Sequence, residues 1–373
     1  MAVRNRSRAS PRSGPQPRDI LGVPTLPPAS VTAAATRVRD LIGRVHAAMA
    51  PPPVRILEGI FGMLDHRVLV EICRLGVPDA LTGPTSLEVL ASEIECDPVR
   101  LERLLRFAAT RGWLRIDRRG RVRPTGVTTF LRADHPGGWR AWVDFAGGDD
   151  VVAAVARLGT GGEDPFASAN GAPFFEWMAA HPDRSSAFDG AMAAGARMHA
   201  LTLHAAIDWS EVTHVCDVGG GTGALMAALL DLEPHVTGTV LDVPTVASRA
   251  VDHPRLTVVG GDAFDAVPEG FDLYLFVNVI HDWSDEDATR LLAATAQAAR
   301  PDTRVIVVDS DRPTTPRPDM GTSADVLMAA LTRGGCERDA PAVGRLATAA
   351  GLRYDRTIPL ASGDLAHELG TDR

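Results

Sequence analysis

The sequence predicts an α/β protein, a doubly wound parallel sheet preceded by a helical winged-helix unit. Three observations carry this. From His214 onward, short apolar runs alternate with helical patterns. One run, Val215–Val218, opens into four glycines within five residues, Gly219–Gly223. Upstream, two helical segments are followed by a basic hairpin between residues 86 and 124. At about 100–200 residues per domain, 373 residues favour two domains.

The segments divide the chain into 1–50, 51–135, 136–205 and 206–373. The first eighteen residues hold five Arg and no acid. Pro11, Pro15 and Pro17 break any amphipathic helix there, and no apolar run marks a secretion signal. This reads as a disordered basic tail at least to residue 30, with one amphipathic stretch following at Val31–Met49. After Pro51–Pro53, Ile56, Leu57, Ile60, Met63 and Leu64 recur at helical spacing, as do Val68, Leu69 and Ile72.

Ser86–Leu90 starts a short helix, and Asp97-Pro98 caps a second over Val99–Thr110. Trp113–Asp117 and Arg121–Pro124 form the hairpin around Arg119-Gly120. Residues 98–123 carry nine Arg against Glu102 and Asp117. Such charge on a winged helix suits DNA, but the chain as a whole is acidic, with a net charge of −9. A packing or dimer surface is the preferred reading. Residues 137–205 are helical and apolar; Phe174, Phe175, Trp177, Met178, Phe188, Met192 and Met198 read mostly as core, some of them suited to line a pocket for a flat ligand.

The sheet strands read Val215–Val218, Thr239–Leu241, Leu256–Val259, Leu273–Val279 and Arg304–Val308. Helices fall at Ala224–Leu232, near Val246–Ala250, and at Glu286–Arg300, Ser323–Leu331 and Pro341–Ala350. Open sheets of this kind bind ligands at the carboxyl ends of their strands. There, Gly219 and Gly221 let backbone approach a nucleotide-like cofactor. Asp242, 23 residues after Gly219, can accept from ribose hydroxyls. Asp262 and Ala263 end the third strand and can face a base. His281 ends the fourth and is a candidate general base, with Asp309 and Glu337 as acids able to fix its tautomer.

Composition excludes other chemistries. All 38 basic residues are Arg, so a Schiff-base lysine, a Walker P-loop and a kinase Lys–Glu pair are absent from these 373 residues. The four Cys (Cys73, Cys96, Cys216, Cys336) form no CxxC, which fits a reducing cytoplasm and no structural zinc. No run approaches the ~18 apolar residues of a membrane helix.

In order, Gly219–Gly223, Leu241–Pro244, Gly260–Phe264, His281–Glu286 and Gly334–Arg338 resemble the S-adenosylmethionine-dependent small-molecule O-methyltransferases. That group includes the plant caffeic acid and actinobacterial polyketide enzymes. The likeness spans roughly residues 54–360. It implies a Rossmann-like methyltransferase fold, an N-terminal winged-helix dimerisation domain, a homodimer and S-adenosylmethionine as cofactor. It implies that Gly219, Gly221, Asp242, Asp262 and Ala263 hold the cofactor, that His281 takes the acceptor's proton between Asp309 and Glu337, and that Met328 and Thr332 lie toward a small-molecule acceptor. No metal, membrane or nucleic acid is expected. Asp309 is one methylene shorter than the Glu of plant members, so its contact should be looser. Val277 stands where many members carry a basic residue. Arg333 could meet an acidic substrate or face solvent. Two other readings compete: C-methylation of an α-keto acid, which in relatives uses a metal held by a His-Asp pair and a further His, and a cofactor-sensing DNA-binding regulator.

Overall fold

Prolines and glycines punctuate the N-terminal helices. In the computed structural model, which describes residues 27–316 and 319–371, the first helix is Ala29–Met49. It ends where Pro51 begins, and Pro52 and Pro53 open the next helix, Pro52–Phe61. Of the tail expected to be disordered at least to residue 30, residues 1–26 lie outside the described residues, and Ala29 and Ser30 are corrected to the first turn of the helix. Gly62 separates Pro52–Phe61 from Met63–Arg74. The helical periodicity is as expected, but its apolar stripe is uncovered. Ile56, Leu57, Ile60 and Phe61 are each more than half exposed. Only Val68, Ile72 and Cys73 of Met63–Arg74 are buried.

The winged unit follows. The Ser86 hydroxyl accepts from the Val89 N–H, and the Asp97 carboxylate from that of Arg100. Helices Leu87–Glu93 and Pro98–Thr110 result. Strands β1 (Leu114–Ile116) and β2 (Val122–Pro124) pair antiparallel. Leu90, Leu101, Leu105, Leu114 and Val122 form the core beneath them. Asp117 closes the wing. It accepts from the backbone of Arg121 and Arg119 and pairs with the Arg121 and Arg123 side chains. Those donors hold its carboxyl far below the usual range. Part of the positive charge thus serves the hairpin itself.

The main sheet has strands β3 (His214–Val218), β4 (Thr237–Asp242), β5 (Leu256–Gly260), β6 (Leu273–Val277), β7 (Arg304–Asp309), β8 (Leu352–Pro359) and β9 (Leu365–Thr371). Their order is β5-β4-β3-β6-β7-β9-β8. The chain winds outward from β3 to β5, then crosses back to β6, so the switch point lies between β3 and β6. Helices cover both faces, which is why Leu273, Tyr274, Leu275 and Phe276 are all fully buried. Their side chains alternate between two cores. Tyr274 and Phe276 pack with Val305 and Val307; Leu273 and Leu275 pack with Ile306 and Val308.

Two expectations are corrected. The sheet is mixed, because β9 pairs antiparallel with both β7 and β8; the short link Leu360–Asp364 between β8 and β9 can only join antiparallel neighbours. And β6 stops at Val277, not Val279. Asn278 turns into the left-handed region at φ +56, and Ile280–Asp282 forms a 3₁₀ turn.

Candidate active site

A cavity of about 410 Å³ opens at the switch point between β3 and β6. Its floor is backbone. Gly219 and Gly221 both hold positive φ, +71 and +61. A Cβ on Gly219 would come within 2.9 Å of the Val279 side chain, whereas one on Gly221 would meet no protein atom. The loop therefore needs glycine for its path, and it leaves open space above it for a ligand.

Asp242 fastens this loop from the neighbouring strand. Its Oδ2 accepts from the Gly221 N–H at 2.8 Å, and its Oδ1 from the Val243 N–H at 2.8 Å. A carboxylate has about four lone-pair sites, so capacity remains for two hydroxyls. Burial raises its pKa against the pull of those two bonds. Asp262, bonded to the Phe264 N–H at 2.9 Å, and Ala263 line the same wall. All five residues expected to hold the cofactor thus meet one cavity. Asp217, which heads the glycine motif but has no role in the sequence reading, meets it too. Burial first, and then the charge of Asp242, push its carboxyl up to about 7. Its Oδ2 has no hydrogen-bond partner. Its signal was its place two residues before the first glycine.

Beyond β6 the construction changes from backbone to side chains. His281 Nδ1 lies 2.9 Å from Glu337 Oε1. Asp309 Oδ1 stops 3.7 Å away, longer than a hydrogen bond. On the opposite ring nitrogen, Asp282 Oδ1 is 3.8 Å from Nε2, and Asp282 lines the cavity. Burial alone would pull the imidazole down. The charges of Asp309, Glu337 and Asp282 and the Glu337 bond outweigh it and lift His281 to about 10. Burial also raises Asp282 to about 6 and pushes Asp309 up against the pull of His281.

Buried Arg338 holds the turn that carries His281. Its guanidinium donates to the carbonyls of Ile280 at 2.9 Å and Trp283 at 2.7 Å, and pairs with Asp285. Gly335 permits close approach here, since a Cβ would lie 2.6 Å from the His281 carbonyl. Sequence reasoning quoted both residues without giving them roles.

Aromatic rings form the rest of the wall. Trp283 stacks on Phe175 at 5.6 Å and meets Phe264 edge-on at 4.8 Å. Met178, Phe188 and Met192 also line it, as expected for that helical region. Met328 and Thr332, expected toward the acceptor, are buried elsewhere. Met328 packs with Phe145 and Phe166, and Thr332 bonds back onto the Met328 carbonyl; like His281, Asp309 and Glu337, they do not border the cavity. Arg333 faces solvent and pairs with Glu163. His367 bonds Tyr354 at 2.9 Å on β9 and does not join His281 and Asp282. Among the described residues, no three His, Cys, Asp or Glu side chains are spaced to hold a metal ion. No described helix is long and apolar enough to cross a membrane.

The chain matches the O-methyltransferase domain over residues 150–353 and the O-methyltransferase dimerisation domain over residues 57–133. It is 32% identical over 335 residues to a mitomycin biosynthesis 6-O-methyltransferase of Streptomyces lavendulae, covering 83% of this chain and 90% of that one. Its fold is similar to that of the mitomycin 7-O-methyltransferase MmcR, with a TM-score of 0.78 and 30% identity over 87% of this chain and 99% of that one. A further similar structure is NcsB1, an O-methyltransferase from neocarzinostatin biosynthesis solved with S-adenosylmethionine and 2-hydroxy-5-methyl naphthoic acid. That pair has a TM-score of 0.68 and 30% identity, over 82% of this chain and 96% of that one. With a glycine cradle, a buried His–carboxylate cluster and both domain matches in place, this chain belongs to the O-methyltransferase family.

Proposed function

We propose that this enzyme moves the methyl group of S-adenosylmethionine to a hydroxyl on a flat aromatic or polyketide-like acceptor, with His281 taking the hydroxyl proton. One observation carries the reading. An imidazole fixed through Nδ1 by Glu337 lies 3.8 Å from Asp282, which borders a cavity that joins the glycine cradle to an aromatic wall. Relatives named for mitomycin and neocarzinostatin chemistry support that acceptor class.

S-adenosylmethionine is the methyl donor and supplies a methyl on a sulfonium, already activated for displacement. The residues present fit it: Gly219 and Gly221 give close approach, Asp242 accepts from the ribose hydroxyls, and Asp262 with Ala263 borders the base. The protein's tasks are then alignment, exclusion of water and proton removal. The apolar side chains of Phe175, Met178, Phe188 and Met192 can hold a flat acceptor. His281 Nε2 would receive the hydroxyl proton as the methyl passes from sulfur to the acceptor oxygen, leaving S-adenosylhomocysteine. Glu337 and Asp309 stabilise the resulting imidazolium, as a carboxylate partner does in a catalytic triad. A phenol titrates near pH ~10, and the three acids raise the imidazole's affinity for a proton toward that range.

The test is product formation with S-adenosylmethionine and a panel of hydroxylated naphthoates and anthraquinones, read by mass. A methylated phenol is expected, lost in His281→Ala. Near-normal turnover of that variant removes His281 as the base.

The exposed apolar stripe supports a homodimer. Ile56, Leu57, Ile60 and Phe61 lie on or beside the dimerisation domain, and contiguous exposed apolar surface of this kind marks an interface. Light scattering should show a dimer, and Ile60→Glu should shift it toward monomer.

A further inference from the structure

The wall of the cavity carries a charge imbalance. Asp189, Asp217, Asp242, Asp262 and Asp282 all line it, and no arginine does among the described residues. Acids suit the sulfonium and ammonium of the cofactor, but its carboxylate needs hydrogen-bond donors. Along the strand order β5-β4-β3-β6, base and ribose fall at Asp262 and Asp242. The amino-acid end therefore points toward β6, where Asn278 follows.

Asn278 and His199 line the cavity together. The amide Nδ2 of Asn278 donates to His199 Nε2 at 3.1 Å. With Nε2 accepting, the ring proton sits on Nδ1. That side faces Asp364 Oδ2, 3.7 Å away, and Asp364 is itself held by the Ser310 hydroxyl at 2.9 Å. The His199 side chain is only 8% exposed, and its Nδ1 has no hydrogen-bond partner. The base cluster around His281 makes no use of this pair. Asn278 also holds left-handed φ at the end of a buried strand, a conformation that costs energy unless its surroundings fix it.

Resting on the methyl-transfer reading above, we infer that Asn278 donates to the carboxylate of the cofactor's amino-acid end and that His199 is a positioning residue that orients its amide. An amide nitrogen has two N–H groups. His199 takes one and thereby sets which end of the amide points into the cavity. The second N–H is left for the ligand. The pair supplies, without charge, what a basic residue at Val277 would supply with it.

The experiment compares two ligands by calorimetry. S-adenosylhomocysteine carries the amino-acid end; 5′-methylthioadenosine is the same nucleoside thioether without it. Asn278→Gly, which tolerates the left-handed backbone, should weaken S-adenosylhomocysteine about tenfold, as expected for a bond to a charged group, and leave 5′-methylthioadenosine within about twofold on the same grounds. His199→Leu should act in the same direction by a smaller factor. His199→Gln, which keeps an acceptor for the amide, should restore binding. The double variant Asn278→Gly/His199→Leu should lose no more than Asn278→Gly alone. Equal weakening of both ligands, or unchanged binding of S-adenosylhomocysteine, overturns the inference. A wild-type protein that binds neither ligand overturns the methyl-transfer reading itself.

Discussion

The two halves of the cavity are built differently. On the β3–β4–β5 side, the ligand surface is largely main chain: a glycine turn, held by one carboxylate through two backbone bonds. On the β6–β7 side Asn278, Asp282 and Trp283 border the cavity, and the base cluster lies next to Asp282 without bordering the cavity itself. His281, Asp309 and Glu337 come from three separate stretches and meet with almost no exposure. A main-chain cradle is preformed and tolerates changes to side chains around it. A buried charge cluster depends on each member, because removing one leaves the others unpaired. The cofactor half should therefore govern affinity, and the base half turnover and its pH dependence.

The largest effect should come from His281→Ala. Turnover should fall about a thousandfold, within the range for a general base, while S-adenosylhomocysteine binding measured by calorimetry stays within about twofold of wild type. A large loss of binding would erase the division between the halves.

In the other half, Asp242→Ala removes an anion that both fastens Gly221 and faces the ribose. Affinity for S-adenosylmethionine should fall about 10- to 100-fold, the range for hydrogen bonds to a charged group. At saturating cofactor, turnover should recover most of its value. Turnover that stays low at saturation would mean that the cradle also aligns the methyl group.

The same contrast explains what could be read from the chain. Gly219, Gly221, Asp242, Asp262 and Ala263 follow strands directly, and a strand end announces its position locally. The winged unit was legible for the same reason, through Asp97-Pro98 and Arg119-Gly120. Asp282 was weighed only as half of a metal pair with His281, because its contact with the ring depends on which edge it meets, a matter of tertiary geometry. Arg338 was quoted without a role because its partners are carbonyls of a turn some 55 residues earlier. The strands β8 and β9 escaped notice because β8 alternates with charged residues at a sheet edge. Met328 and Thr332 were assigned by resemblance; Met328 is buried with Phe145, and Thr332 is buried against the Met328 carbonyl. The apolar stripe of Pro52–Phe61 has the period of a core helix, and period alone does not say which molecule covers it.

A subtler break concerns protons. Glu337→Gln keeps the shape of the cluster and removes one negative charge. The carboxylates raise the His281 pKa, so removing one must lower it. The imidazole is then free to accept a proton at lower pH. The acid limb of the kcat/KM profile for the acceptor should move toward neutral pH, and maximal turnover should fall because the imidazolium is less stabilised. Asp309→Asn should shift the limb in the same direction. A limb that stays in place in both variants would show that the acids serve only to hold the fold.

The smallest effect is expected where the two halves share a covering element. Arg249, after β4, pairs with Asp189 at 2.6 Å and donates to the Ser185 hydroxyl at 2.8 Å. Asp189 and Ser185 lie on the long helix Pro182–Ala206, which roofs the cavity. Arg249 is about one-third exposed, so solvent screens the pair and its worth is small. Its position tests whether the covering helix governs release, because Arg249 ties that helix to the segment after β4. Arg249→Ala should leave thermal stability nearly unchanged and raise the dissociation rate of S-adenosylhomocysteine by about two- to fivefold, the equivalent of a weak surface pair. Stopped-flow release, followed through the fluorescence of Trp283, would measure it. If release is unchanged while turnover falls, the latch acts on the acceptor half, and the roof belongs to both halves equally.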